Sequence, residues 1–345
     1  MAVRGDVVTD GGAVRSPVRP LTVRVDVGGT WIRTESDGVL RRSPAPSRIN
    51  HPGVPAPVLV DRLVEHLVSV APAAGGQVVV SLGAAMDDVT GTVRGSGPLW
   101  GDWLMDRDLL GVLRRARPDV VWHVFNDVTC GLADFADAVP REAGASAGYL
   151  TISSGIGLKI ADLGTRTVRV DENGLQGEVG HLPAVLPPEL AGLGHLPCEC
   201  GGVGHVASVS SGPGIARVAA ALGIGAYTTE WFRQAVDAGD EGAHTLLAVV
   251  TRPVAEVLRT IWVIQPWVVV VGIGGGVVEG VGGHYRTALL RHLRGAGSYA
   301  AGPADAWEHR VRLLDRPGAD VLRGAQLLAE GALVVTRAQE ADHRP

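Results

Sequence analysis

Twice along this chain an apolar, β-branched run stops at a cluster of glycine and small hydroxyl residues and then resumes. Residues 21–27 (LTVRVDV) alternate apolar and polar side chains, the period of a strand with one buried face. They run into Gly28, Gly29 and Thr30. The second unit starts near residue 148, where Thr151 and Ile152 lead into Ser153, Ser154 and Gly155, and Ile156 and Gly157 carry the chain onward. Because glycine has no side chain to hold a ligand off, such turns let backbone N–H groups approach phosphate oxygens. Two units of one plan predict two similar lobes, and small-molecule sites form in the cleft between lobes.

The segments around these units read as α/β architecture. Residues 77–82 (QVVVSL) and 120–125 are strands. Each follows a helical stretch, one with Leu59, Leu63, Leu67 and Val70 on a single stripe, the other basic and spanning 109–115. A long helix carries Leu246, Leu247, Val250, Val254, Leu258 and Ile261 at helical spacing. It delivers the chain to Pro266 and a short apolar run over 267–271 that reads as a buried strand. Asp320 is a candidate N-cap for a last helix with Val321, Ala325, Leu328 and Ala332 on one side. The expected division is a loose arm over 1–20, a first α/β lobe over 21–126 with a C-terminal helix over 320–338 packing back onto it, and a second α/β lobe over 127–319.

Several residues at these junctions carry chemistry. Asp26, at the end of the first strand, is of the type that holds Mg²⁺ through water; the same segment also suits an ordinary hairpin turn. Asn126 and Asp127 stand where a strand gives way to a helix. There Asp127 is a candidate general base for an alcohol and Asn126 a candidate to orient the same hydroxyl, while an Asp at that place equally suits a helix N-cap. The glycine run over 272–276, with Gly274 and Gly275 at its centre, offers a flat backbone surface for a planar ring. His181, Cys198, Cys200 and His205 form a two-thiolate, two-imidazole set suited to tetrahedral Zn²⁺, with His195 as a competing ligand. Lys159 is the only lysine in the chain. It reads either as a cation near nucleotide phosphates or, as strand alternation favours, as a solvent-facing residue.

Composition excludes several classes. A net charge of −5 gives no general attraction to nucleic acid or anionic membrane. The first twenty residues lack the apolar core of a signal peptide, and no run of eighteen apolar residues occurs. Three cysteines, two of them close together, do not make a secreted disulfide framework. A reduced, cytoplasmic setting is expected.

Taken together and in order, DVGGT at 26–30, SSGIG at 153–157, GIGGG at 272–276 and GAQLLAEGA at 324–332, with EVGH at 178–181 and CECGGVGH at 198–205, resemble the ROK family of sugar kinases and regulators. The likeness covers nearly the whole chain. It implies a two-lobed actin-like (ribonuclease H-like) fold and an ATP- and Mg²⁺-dependent kinase. By the resemblance, Asp26, Gly28, Gly29, Thr30, Ser153, Ser154, Gly155, Gly157, Gly274 and Gly275 would bind nucleotide. Asn126, Asp127, Glu178 and His181 would contact the acceptor, with Asp127 as base. A structural zinc held by His181, Cys198, Cys200 and His205 would shape the loop over 181–205, and dimers are common in the family. The chain departs from the pattern in two places: His205 replaces a third cysteine, and Ala207 replaces a glutamate that serves sugar hydroxyls near the anomeric side. A C7-cyclitol of the valienone or validone type has no anomeric hydroxyl, so the expected activity is phosphorylation of such a compound in natural-product biosynthesis. The alternatives are a glucokinase or other hexose or N-acetylhexosamine kinase and, of another class, a sugar-responsive regulator. The stretch before DVGGT is too short for the helix-turn-helix that a regulator carries.

Overall fold

The computed structural model describes residues 21–73, 75–225, 227–295, 305–314 and 318–338; the arm expected over 1–20 lies outside them. In the first lobe the strands are β1 (Thr22–Val27), β2 (Trp31–Ser36), β3 (Val39–Pro44) and β4 (Gly76–Leu82), then the short β5 (Ala85–Asp87), β6 (Thr92–Gly95) and β7 (Arg107–Asp108), and β8 (Val120–Asn126). The helices are α1 (Ala56–Val70), α2 (Gly97–Trp100), α3 (Leu109–Ala116) and α4 (Asp127–Asp137). In the second lobe the strands are β9 (Ser146–Ile152), β10 (Ile156–Asp162), β11 (Thr167–Val170), β12 (Val268–Gly274) and β13 (Val311–Leu313), and β14 (Val334–Arg337) ends the described chain. Its helices run from α5 (Val206–Ser210), α6 (Gly212–Ala221), α7 (Thr229–Asp237) and α8 (Glu241–Ile264) to α9 (Gly276–Val281), α10 (Gly283–Gly295) and α11 (Ala306–Arg310), and α12 (Val321–Ala329) follows between the two sheets.

The two main sheets follow one plan. The first has the order β3-β2-β1-β4-β8, antiparallel through β3-β2-β1 and parallel from β1 to β8. The second has the order β13-β12-β9-β10-β11-β14, with β9-β10-β11 antiparallel and β9, β12 and β13 parallel. Each glycine turn therefore joins the first two strands of its own sheet. The local reason is alternation: Val23, Val25 and Val27 point into the first core, which leaves Asp26 on the opposite face.

Helices α4 and α12 pack between the sheets, in a cluster with Val79 of β4 and with Ala147, Ala161 and Val168 of the second sheet. They meet backbone to backbone at Gly324, where an added Cβ would come within 1.8 Å of the Cys130 carbonyl. Asp134 fixes the crossing, accepting from the Asp320 N–H at 2.9 Å and from Arg323 at 2.6 Å. The expected helix over 320–338 is shorter than its apolar stripe suggested. Asp320 does cap it, accepting from Leu322 and Arg323 N–H, but α12 stops at Ala329 and the chain turns through Gly331 at φ 75°. Val334–Arg337 then pairs parallel with β11 in the second sheet, as suits the β-branched Val334, Val335 and Thr336.

Candidate functional site

Both turns have neighbours near the start of α4: Gly83, beside Asp127, lies against the end of β1, and Gly157, just past the second turn, lies against Val128. In the first turn, the Gly28 N–H donates to the Trp31 carbonyl at 3.0 Å, and the bare face of Gly29 lies against Pro98, 2.7 Å from where a Cβ would stand. The Thr30 carbonyl accepts from Ala45 N–H and from Asn50 Nδ2. In the second turn, the Ser153 N–H donates to the Gly155 carbonyl at 2.9 Å, and the Ser153 carbonyl accepts from Gly212 N–H at the start of α6. Ser154 lines a cavity of about 360 Å³ together with Pro98 and Asp102 from one lobe and Cys198 and Glu199 from the other. The glycine run after β12 reaches the same place, since a methyl group on Gly276 would lie 3.6 Å from Ser153 Oγ. Two of the expected nucleotide glycines also have close neighbours on their bare side. The missing side chain of Gly157 is filled by Val128, and that of Gly274 by the Tyr149 hydroxyl.

The junction of β8 and α4 separates two roles that the sequence left joined. The helix cap is Asn126, whose Oδ1 accepts from Val128 and Thr129 N–H. Its Nδ2 donates to the Ala84 carbonyl at 2.8 Å and to Asp127 Oδ1 at 3.2 Å. The amide of Asn126 is thus engaged within the chain, capping α4 and holding Asp127 Oδ1. Asp127 is left free of the capping task, and its Oδ2 stands 3.5 Å from where a Cβ on Gly83 would be. Burial, then the Asp26 carboxylate, push its pKa up to about 7, with Glu178 adding to the rise. That is the range in which a carboxylate serves best as a base at neutral pH.

Glu178 reaches this cluster because its segment lies flat on β10. Gly177, at φ 70°, leaves room for the Leu158 carbonyl, which a Cβ would approach to 1.9 Å, and the Leu158 N–H donates to the Gly177 carbonyl at 2.9 Å. Glu178 then stands beside Lys159. That lysine is only 2% exposed, so the solvent-facing reading is corrected. Both faces of β10 are covered. Lys159 shares its face with Gly157 and Ala161, and these lie against α4 and its cluster.

Asp88, which the sequence reading did not single out, completes the group. It accepts from Asn126 N–H at 2.5 Å and from Thr129 Oγ1 at 2.6 Å. Burial raises the pKa of both Asp88 and Glu178, and the charge of Lys159 opposes the rise in each. The available signal was the lone lysine itself, kept in a chain that otherwise uses arginine.

The four candidate metal ligands come together. One donor atom from each of His181, Cys198, Cys200 and His205 lies within 4.8 Å of the others. Cys198 Sγ is 3.9 Å from His181 Nδ1, and Cys200 Sγ is 3.4 Å from His205 Nδ1. A tight turn aligns them, with Cys198 N–H donating to the Gly202 carbonyl and Gly201 N–H to the Cys198 carbonyl. His195 is not part of this group. Ala207 is buried in α5.

The chain is similar to several known proteins. The chain is 42% identical to a 2-epi-5-epi-valiolone 7-kinase of Actinoplanes sp., over 92% of this chain and 95% of that relative. It is 28% identical to a C(7)-cyclitol 7-kinase of Streptomyces hygroscopicus subsp. jinggangensis, over 70% of this chain and 74% of the relative. Among solved structures, a ROK family glucokinase from Streptomyces griseus in complex with glucose and AMPPNP superposes with a TM-score of 0.66 at 21% identity, covering 90% of this chain and all of that one. That likeness supports the two-lobed fold. The model of the ROK family matches residues 23–295, and with most of its length so matched the chain belongs to that family.

Proposed function

We propose that this chain is a kinase that moves the terminal phosphoryl group of ATP onto a hydroxyl of a C7-cyclitol. The observation that carries the reading is the 42% identity to a cyclitol 7-kinase along nearly the full length of both chains. The site supports it from below. Asp127, with a pKa raised to about 7, takes the proton of the attacking hydroxyl. Asn126 and the Val128 N–H hold Asp127 Oδ1, leaving Oδ2 for the acceptor. Glu178, kept toward its ionised form by Lys159, accepts from other acceptor hydroxyls, and His181 stands beside it. The two turns present backbone N–H groups to the phosphates, and Asp26 is the carboxylate placed to hold Mg²⁺ through water. When bound, Mg²⁺ supplies positive charge at the transferring phosphoryl group. Closure of the lobes excludes the water that would otherwise compete as acceptor.

Incubating the protein with MgATP and a panel of 2-epi-5-epi-valiolone, valienone, validone and glucose, read by mass, tests the reading. A gain of one phosphate on the cyclitols well above that on glucose is expected. Efficient turnover of glucose with none of the cyclitols would establish the hexose kinase instead.

The donor set of His181, Cys198, Cys200 and His205 fits tetrahedral Zn²⁺ in ligand type, number and spacing. Held there, the ion would fix the loop that presents Glu178 and His181. Elemental analysis is expected to find one zinc per chain, and His205→Ala to lose most of it. Wild-type protein free of zinc after purification in zinc-supplemented medium would rule the site out.

A further inference from the structure

Asp26 does not wait with open oxygens. It faces Arg33 directly across the β1–β2 pair. Arg33 Nε and Nη2 both donate to Asp26 Oδ2, at 3.0 and 2.8 Å, and Ser81 Oγ donates to Oδ1 at 3.0 Å. The carboxylate side chain is 11% exposed, whereas that of Arg33 is 48% exposed. The buried partner is therefore fixed, and the outer one has room to move. Two further acids bear on the guanidinium: Glu279, on α9 just past the glycine run, and Asp320, the cap of α12. Arg33 thus lies beside the first turn, within electrostatic reach of α9 and of the cap of α12.

We propose that Arg33 is a nucleotide-positioning residue that exchanges counter-ions, leaving Asp26 Oδ2 for the phosphate oxygens of ATP and so freeing that oxygen for the water shell of Mg²⁺. The inference rests on the assignment of Asp26 to the metal–nucleotide site. Guanidinium suits the exchange because its planar fork matches carboxylate and phosphate oxygens alike, so one oxyanion replaces another without leaving the cation unpaired. Before the nucleotide arrives, the pair balances the charge of Asp26 beside Asp127. Afterwards the incoming metal does so.

Calorimetric titration of ATP, first in EDTA and then across a range of Mg²⁺ concentrations, tests the proposal without turnover. In EDTA, Arg33→Gln is expected to weaken ATP binding about 10- to 100-fold, the worth of a lost charge-assisted contact. Arg33→Lys is expected to recover part of it. The Mg²⁺ concentration that gives half of the metal-dependent gain in affinity is expected to fall in Arg33→Gln, because Asp26 no longer has to be vacated. Arg24→Gln, which removes the neighbouring Arg24–Glu35 cross-strand pair, is expected to change neither quantity. Unchanged metal-free affinity in Arg33→Gln, with a wild-type melting curve, would overturn the proposal and leave Arg33 a structural ladder partner. The underlying site is checked separately: if Asp26→Asn binds MgATP as the wild type does, the assignment of Asp26 itself fails.

Discussion

Asp127→Asn is expected to lower kcat by about 10³-fold, within the range of a lost general base, without lowering the melting temperature at pH 8. The substitution is nearly isosteric. Asn Oδ1 can still accept from the Val128 N–H at 2.9 Å and from Asn126 Nδ2, so the start of α4 keeps its hydrogen bonds. What it loses is the capacity to take a proton. The sign of the stability effect follows from the raised pKa. A carboxyl group that titrates near 7 when folded but near 4 when unfolded favours the folded state in its protonated form. Its ionisation therefore costs stability progressively as pH rises from about 4 to about 7. Removing the charge removes that cost, so the variant is expected to melt no lower, and at alkaline pH somewhat higher, than the wild type. The wild-type kcat is expected to fall tenfold per pH unit below about 7, where the base becomes protonated. A variant with full activity would place the base elsewhere; one that has lost both activity and stability would show Asp127 to be chiefly structural.

How far the sequence led depends on whether the cause of each feature was local. The turns at Gly28 and Ser153 were legible as turns because glycine and small hydroxyl residues follow an alternating run in both. The strand-to-helix junction at Asp127 was legible, but its two readings were not separable. Only the structure shows Asn126 taking the cap and releasing its neighbour. The end of α12 was misjudged because Ala325, Leu328 and Ala332 continue one stripe, while Gly331 at positive φ breaks it and the β-branched residues beyond join a distant sheet. That Gly157 and Gly274 lie against Val128 and Tyr149 was not legible, because those neighbours come from other parts of the chain. Lys159 was misplaced for the same reason. Alternation tells which residues share a face, and α4, which covers that face of β10, comes from an earlier part of the chain.

Lys159→Met is expected to lower stability strongly, because the side chain is only 2% exposed. The side chain carries the cation that opposes the burial-driven rise of two enclosed carboxyl groups, Asp88 and Glu178. Methionine nearly matches its volume but leaves both acids without that charge, so at pH 8 a loss of about 2–4 kcal/mol is expected, the worth of a charge partner spread over two sites. The pH dependence separates this cause from a packing defect. Without the lysine, both carboxyl groups have still higher folded-state pKa values. The added penalty appears only where the wild-type groups are ionised in the folded state, growing as pH rises through their raised folded-state pKa values and absent below them. Thermal melts at pH 5 and pH 8 should therefore show a small deficit at the lower pH and the full deficit at the higher; an equal deficit at both would point to packing alone. Function should follow the same charge. A Glu178 that is more readily protonated accepts acceptor hydroxyls less well, so KM for the acceptor is expected to rise at neutral pH while KM for ATP changes little. Lys159→Arg, which keeps the cation but not the fit between β10 and α4, should recover the pH dependence before it recovers the melting temperature. That order of recovery would mark the charge, and not the shape, as what Lys159 supplies to the site.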